Sequence, residues 1–362
     1  MTTQSKPTSK SYETAIIKKL DKSRVEITGT ISAEVWEKFR PQALKYINDS
    51  ITVDGFRKGM VPESILVSKV GNAAILEEIA ELALSKSYLD ILINEKIDAI
   101  GKPEIQVTKL APGNSLEFKA ITAVVPEVTL PDYKKLAEAE IKKTNTDDLK
   151  VTEKDIEAAL LRVRKQHASH EGHDHDTMSP EEHDKAVEAN MPEITDEFVK
   201  TLGDFTDVAD FKNKLSDLIM EQKRNEAQEK LRMRIANAIS EATTIEVPDI
   251  MIDSELSRTQ AQFEADIERM GVKMDDYLKH AKKTLEEIHT EWRPHSEKKA
   301  KLQLVLNEIA KKEKITPDPK EIEEEVGHIV EHYKDADKER AAVYAETVLT
   351  NEKVFKFLEE VK

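Results

Sequence analysis

Residues 104–131 read EIQVTKLAPGNSLEFKAITAVVPEVTLP, and the apolar period of the chain changes inside them. Leu116, Phe118, Ala120, Thr122 and Val124 recur every second residue, the period of a half-buried strand. Glu104–Leu110 is expected as a further strand, and Leu116–Val125 as the next. Pro126 and Pro131 then bracket a connector, and beyond it the period is helical almost to the end. The stretch therefore closes one domain and opens another.

Upstream, Ala15 to Lys19 and the set Val25, Ile27, Gly29, Ile31 flank Asp21-Lys22-Ser23, which predicts a β-hairpin. Ser32 is placed to cap a helix carrying Val35, Trp36, Phe39, Leu44 and Ile47, with Pro41 disturbing it. Pro62 stands where a first helical residue belongs, and Gly71 where a helix should close. A longer helix is expected through Ile75, Ile79, Leu82, Leu89, Leu92 and Ile93. Together these elements predict an α+β domain with helices on an antiparallel sheet.

Downstream the stripes belong to long amphipathic helices: Ile156, Leu160, Val163; Leu215, Leu218, Ile219 running into Leu231, Ile235, Ile239; and Ile252, Leu256, Phe263, Ile267, Met270, ended by Gly271. Leu302, Val305, Leu306, Ile309 form another, closed by Pro317 and Pro319. Ile322, Val326, Ile329 and Val343, Val348, Phe355, Leu358 follow. Narrow stripes in a hydrophilic chain predict an elongated all-α, multi-helix body with thin cores. Residues 167–190, HASHEGHDHDTMSPEEHDKAVEAN, interrupt it with almost nothing to bury and read as a linker.

Composition removes several functions. The 362 residues contain no Cys, which excludes disulfide scaffolds, Cys-ligated metals and Cys nucleophiles. No run approaches the roughly 20 apolar residues a bilayer requires, so no membrane partner is expected. The polar N-terminus lacks a signal-type apolar core, and a cytoplasmic location is expected. Charge is uneven: residues 1–112 hold 16 Lys+Arg against 15 Asp+Glu, while the other 250 hold 39 against 56. An electrically balanced head on an acidic body can still meet RNA through a local basic patch.

That patch is Gly55-Phe56-Arg57-Lys58-Gly59-Met60-Val61-Pro62. Two glycines frame the loop, a proline closes it, and an aromatic with two cations stands at its tip. This combination suits phosphates, bases and acidic protein surfaces. No Walker loop, G-x-G-x-x-G, G-x-S-x-G or H-E-x-x-H occurs, so no catalytic residue and no cofactor is assigned. His170, His173 and His175 are weak metal candidates without an evident second shell, and a solvated linker is the favoured reading. His289 to His295 is read as a helix turn with Pro294 as a breaker.

The pattern Gly-Phe-Arg-x-Gly-x-x-Pro resembles the signature of the trigger factor family, ribosome-associated bacterial chaperones. Ala99–Pro103, Leu116–Val125 and residues 126–130 are similar to the end of that family's ribosome-binding domain, and residues 151–166 (VTEKDIEAALLRVRKQ) to its first arm helix. Residues 191–198 (MPEITDEF) resemble the segment re-entering the helical body, and residues 246–253 (EVPDIMID) the start of the arms. The family carries an FKBP-type isomerase domain between arm helix and re-entry. Here only residues 167–190 occupy that place, too few for such a domain.

The resemblance implies a ribosome-binding domain over 1–112, a strand and connector over 113–130, and a helical chaperone body with arms over 131–166 and 191–362. It implies docking at the tunnel exit through Phe56, Arg57 and Lys58, shaped by Gly55, Gly59 and Pro62. The partners would be the large subunit, through the tunnel-exit protein and rRNA, and nascent or unfolded polypeptides. The expected activity is ATP-independent holding, with roles in folding and export; the family carries peptidyl-prolyl isomerase activity, the domain for it is missing here, and whether any such activity remains stays open. Met251, Phe263, Met270, Met274 and Trp292 are the weak candidates for client contact, since Met suits surfaces that accept many shapes. Self-dimerisation of the free form stays open. The alternative is a ribosome-independent holdase of SurA-like helical type.

Overall fold

A computed structural model describes residues 10–144, 149–168, 190–333 and 336–361. By internal contacts the chain divides into two compact units, residues 1–129 with 243–305, and residues 130–242 with 306–362.

In the first unit, β1 (Thr14–Leu20), β2 (Arg24–Ile31), β3 (Ala99–Lys109) and β4 (Leu116–Val124) form an antiparallel sheet of order β1-β2-β4-β3. Alternation does what it predicts. Val25, Ile27 and Ile31 of β2 and Leu116, Phe118 and Ala120 of β4 are buried on one face. Gly29 pairs with Phe118, and the ring lies where a Gly29 side chain would stand. β3 begins at Ala99, earlier than its alternation indicates. Gly101, at φ 74°, and a register shift between Ile100 and Glu104 break the period over its first half.

Helices cover that face. α1 (Ala33–Trp36) and a 3₁₀ turn (Glu37–Phe39) lead into α2 (Arg40–Ser50), so Pro41 marks a fresh helical start. α3 (Glu63–Glu95) follows and contributes Leu66, Ile75, Ile79, Ala83 and Ile91 to the core. Gly71 ends the first helical run as expected. It interrupts the element at φ 84°, ψ 156°, and the helix resumes at once. Glycine alone tolerates that geometry, so one residue makes a kink between two helical runs.

The same unit holds α8 (Asp249–Arg269), α9 (Met274–Ala281) and most of α10 (Leu285–Glu313). α8 ends as its sequence indicates. Gly271, at φ 77°, follows the last turn, and the Val272 and Gly271 amides donate to the Ile267 and Glu268 carbonyls. Pro294 corrects an expectation: it lies inside α10 and does not end it. A missing N–H and ring crowding strain a helix, but flanking turns that bury Ile288, Ser296 and Ala300 hold it together.

The second unit is helical among its described residues. It contains α4 (Tyr133–Lys142), α5 (Glu153–Gln166), α6 (Asp196–Leu202), α7 (Val208–Ala242), α11 (Pro319–His332) and α12 (Lys338–Glu359). Capping boxes start α5 (Thr152 with Asp155) and α11 (Asp318 with Glu321). Val199, Phe211, Ile235, Ile239, Ile309, Val354 and Leu358 are buried, whereas Leu218 and Val343, expected on apolar stripes, stand exposed. Tyr133 is buried and donates to Glu313; burial and that carboxylate push its hydroxyl up to about 12. No described helix is long and apolar enough to cross a membrane.

Candidate functional site

The loop between α2 and α3 is two successive β-turns. The Phe56 amide donates to the Val53 carbonyl at 3.1 Å, and the Met60 amide to the Arg57 carbonyl at 2.9 Å. Gly55 and Gly59 occupy the third position of each turn, at φ 86° and 81°. A side chain there is strained, so two glycines four apart are what permit the double turn. Asn48 braces it from α2. Its carbonyl accepts from Gly59 at 3.2 Å, its side-chain amide donates to the Val61 carbonyl at 2.9 Å, and its side-chain oxygen accepts from the Val61 amide at 3.1 Å. Val61 is buried beneath, Pro62 caps α3, and Glu63 of α3 accepts from Arg40 at 3.0 Å.

This frame holds an exposed tip. Phe56 is partly exposed, Arg57 and Lys58 are exposed, and Met60 extends the apolar surface at 71% exposure. Neither cation has an ion-pair partner among the described residues. An aromatic and an aliphatic side chain beside two uncompensated cations can meet a phosphate-rich or acidic surface at once. The sequence reading missed Met60 and Asn48. Met60 lies inside the quoted octapeptide. Asn48 carried no local signal, because its role appears only when α2 returns beside the loop.

The client candidates separate. Phe263 packs edge-on against Tyr277 and Trp292, with ring centres 5.0 and 5.3 Å away. Trp292 and Met251 also pack against a small core of Val247, Ile252, Leu256, Ala300 and Leu304. These three side chains are therefore partly spent on holding α8, α9 and α10 together. Met274 is half-buried, whereas Met270 is 76% exposed and stands free. The histidines 170, 173 and 175 lie outside the described residues, and no cluster able to hold a metal occurs among the described ones.

At the base of α8, Lys22 donates to Asp249 at 2.8 Å, and Arg293 donates to Asp249 and Asp253. These bonds, that from Lys22 first, hold the Asp249 carboxyl below the usual carboxylate range. The Lys22 amide and Ser23 hydroxyl donate to Glu246, at 2.9 and 3.0 Å. Lys22 and Ser23 both sit at positive φ, 59° and 50°, a geometry these residues disfavour. The contacts to Glu246 and Asp249 accompany that strain.

Residues 14–163 match the family model described as bacterial trigger factor protein, and residues 207–360 the one for its C-terminus. A trigger factor of Carboxydothermus hydrogenoformans is 27% identical, over 90% of this chain and 92% of that protein. One of Halalkalibacterium halodurans is 25% identical over 92% and 93%. The first alignment spans 397 positions but draws on 90% of 362 residues, leaving about 70 positions of that relative without a counterpart here. Only residues 164–206 separate the two matched segments, and α6 occupies part of them. The remainder is too short for an independent folded domain, so the FKBP-type isomerase domain is absent. A solved structure titled for promiscuous substrate recognition by the trigger factor chaperone superposes with a TM-score of 0.53 at 17% identity. It covers 96% of this chain and all of that one, a likeness of fold.

Proposed function

Because the chain belongs to the trigger factor family of protein-folding chaperones, we propose that it docks at the ribosomal tunnel exit and holds emerging polypeptides without ATP. The observation that carries the docking is the loop: two braced turns present Phe56, Arg57, Lys58 and Met60 with no ion-pair partner for either cation among the described residues. Phosphate contacts are electrostatic, so binding weakens as salt rises. The near-neutral head approaches rRNA without the repulsion that the acidic remainder of the chain would meet. Holding needs scattered, weak apolar contact and no chemistry. Exposed Met270, Met233 and Leu218 and half-buried Met274 are surfaces of that kind.

Co-sedimentation with bacterial ribosomes at two salt concentrations tests the docking. Wild type should pellet with ribosomes at low salt and less at moderate salt, and Phe56→Ala/Arg57→Ala/Lys58→Ala should stay in the supernatant. Equal pelleting by both proteins would discard the loop. No pelleting by either would favour a free holdase.

A further inference from the structure

The covered face of the N-terminal sheet is unfinished along β3. Ile105 and Val107 stand in register with Ala120 and Phe118, so all four side chains project to the same face. Ala120 and Phe118 are fully buried, yet Ile105 is 38% exposed and Val107 41%. β3 is also an edge strand, and among the described residues its outer row of backbone donors and acceptors meets no further strand. Between it and Ala80 and Leu84 of α3 runs an open groove of about 630 Å³.

The rim of this groove is acidic. Glu77 and Glu81 line it, exposed, with Glu78 between them. None of the three forms an ion pair among the described residues, and burial together with the Glu81 charge holds the Glu78 carboxyl above its ordinary range. Two carboxylates on the groove, exposed apolar side chains and a strand edge unpaired among the described residues together suit an occupant with complementary properties.

We propose that this edge takes an extended polypeptide segment, apolar at alternate positions and flanked by Lys or Arg, as an added strand beside β3. Its backbone would use the free edge, its inward apolar side chains would cover Ile105 and Val107, and its flanking cations would reach Glu77 and Glu81. Glu77 and Glu81 lie one helical turn apart, about 6 Å, within reach of the two long, adjacent cationic side chains of one flank. Register shifts after Ile100 and after Val107 confine regular pairing to Glu104–Val107. Such a short ladder gives weak, reversible capture and guards against runaway strand addition. The purpose of the site rests on the chaperone reading; the site itself is separate from the docking loop.

The test uses the full chain and a fluorescent peptide, Lys-Lys-Val-Thr-Val-Thr-Val-Lys-Lys, read by anisotropy against its counterpart with Glu for every Lys. The Lys peptide should bind and the Glu peptide should not. Glu77→Lys/Glu81→Lys, which alters only exposed side chains, should weaken binding about tenfold. Val107→Lys should abolish it by pointing a charge into the groove, with circular dichroism checking the fold. Phe56→Ala/Arg57→Ala/Lys58→Ala should leave peptide binding unchanged, so failure at the ribosome and failure here are separable. Absence of binding, equal binding of both peptides, or unchanged affinity in Glu77→Lys/Glu81→Lys would overturn the proposal. So would a wild-type dimer in sedimentation that Val107→Lys converts to monomer, since a second copy would then be the occupant.

Discussion

Replacing Gly29 by Ala tests whether the N-terminal sheet is packed as its register requires. A Cβ on Gly29 would lie 2.4 Å from Cζ and 2.5 Å from Cε1 of Phe118, far inside van der Waals contact. The ring has to retreat by about 1 Å, and Phe118 is fully buried, so the displacement passes into neighbours already close-packed. Overpacking of this kind costs about 1–3 kcal/mol, offset by roughly 0.4–1 kcal/mol from the stiffer unfolded chain. A net loss of about 1–2 kcal/mol is expected. With a slope of about 1–3 kcal/mol/M it lowers the urea midpoint by roughly 0.5–1 M. Phe118→Leu alone should also destabilise, by about 1–2 kcal/mol, because the ring volume is lost. In the double variant the added methyl enters the space vacated by the ring, so the two losses should sum to about 1 kcal/mol less than additive. Trp36, buried in this core, reports the transition by fluorescence in a Trp292→Phe background. An unchanged midpoint for Gly29→Ala, or strict additivity in the double variant, would refute the packing argument.

Gly55→Ala and Gly59→Ala should each destabilise the loop by about 1 kcal/mol, with Gly59 the costlier. Its Cβ would meet the Asp49 carboxylate at 2.8 Å, whereas nothing lies within 4 Å of one on Gly55. Ribosome pelleting should fall in the same order; the reverse order would show that the turns do not preorganise the tip. Lys96, Lys282 and Lys314 close helices in the left-handed conformation, at φ 54°, 54° and 56°. Each Lys→Gly exchange should stabilise by about 0.5–1 kcal/mol, and the triple variant should melt higher; a lower melting point would mean that these side chains contribute contacts outweighing the strain. Asp155 is held down to about 2 by the hydrogen bond from Lys223 and then by Thr152. Its folded pKa lies below its unfolded one of about 3.9, so its contribution is present above pH 4 and lost as pH falls towards 2. The gap in urea midpoint between wild type and Asp155→Asn should close over that interval, and a gap constant with pH would contradict the assignment.

The local elements were legible because their information is local. A two-residue period along Leu116–Val124, a Gly at 271 after a helical stripe, and two glycines framing a cationic tip are written within a few residues of where they act. Pro294 was misread for the complementary reason. It is a strong local breaker, and packing of the flanking turns decided that the helix continues past it.

Order along the chain also determined which helices follow which, and the octapeptide with its neighbours was enough to suggest the family. It did not reveal that Lys22 and Ser23 would be anchored by Glu246 and Asp249, more than 220 residues away, or that residues 243–305 would share a compact unit with the head. Nor did it reveal that Ile105 and Val107, apolar and in phase with a buried strand, would be left half-covered at an open edge beside Glu77 and Glu81, which form no ion pair among the described residues. Periodicity states which face of an element is apolar. Whether that face is covered depends on where a distant helix ends, and only the assembled tertiary structure sets that.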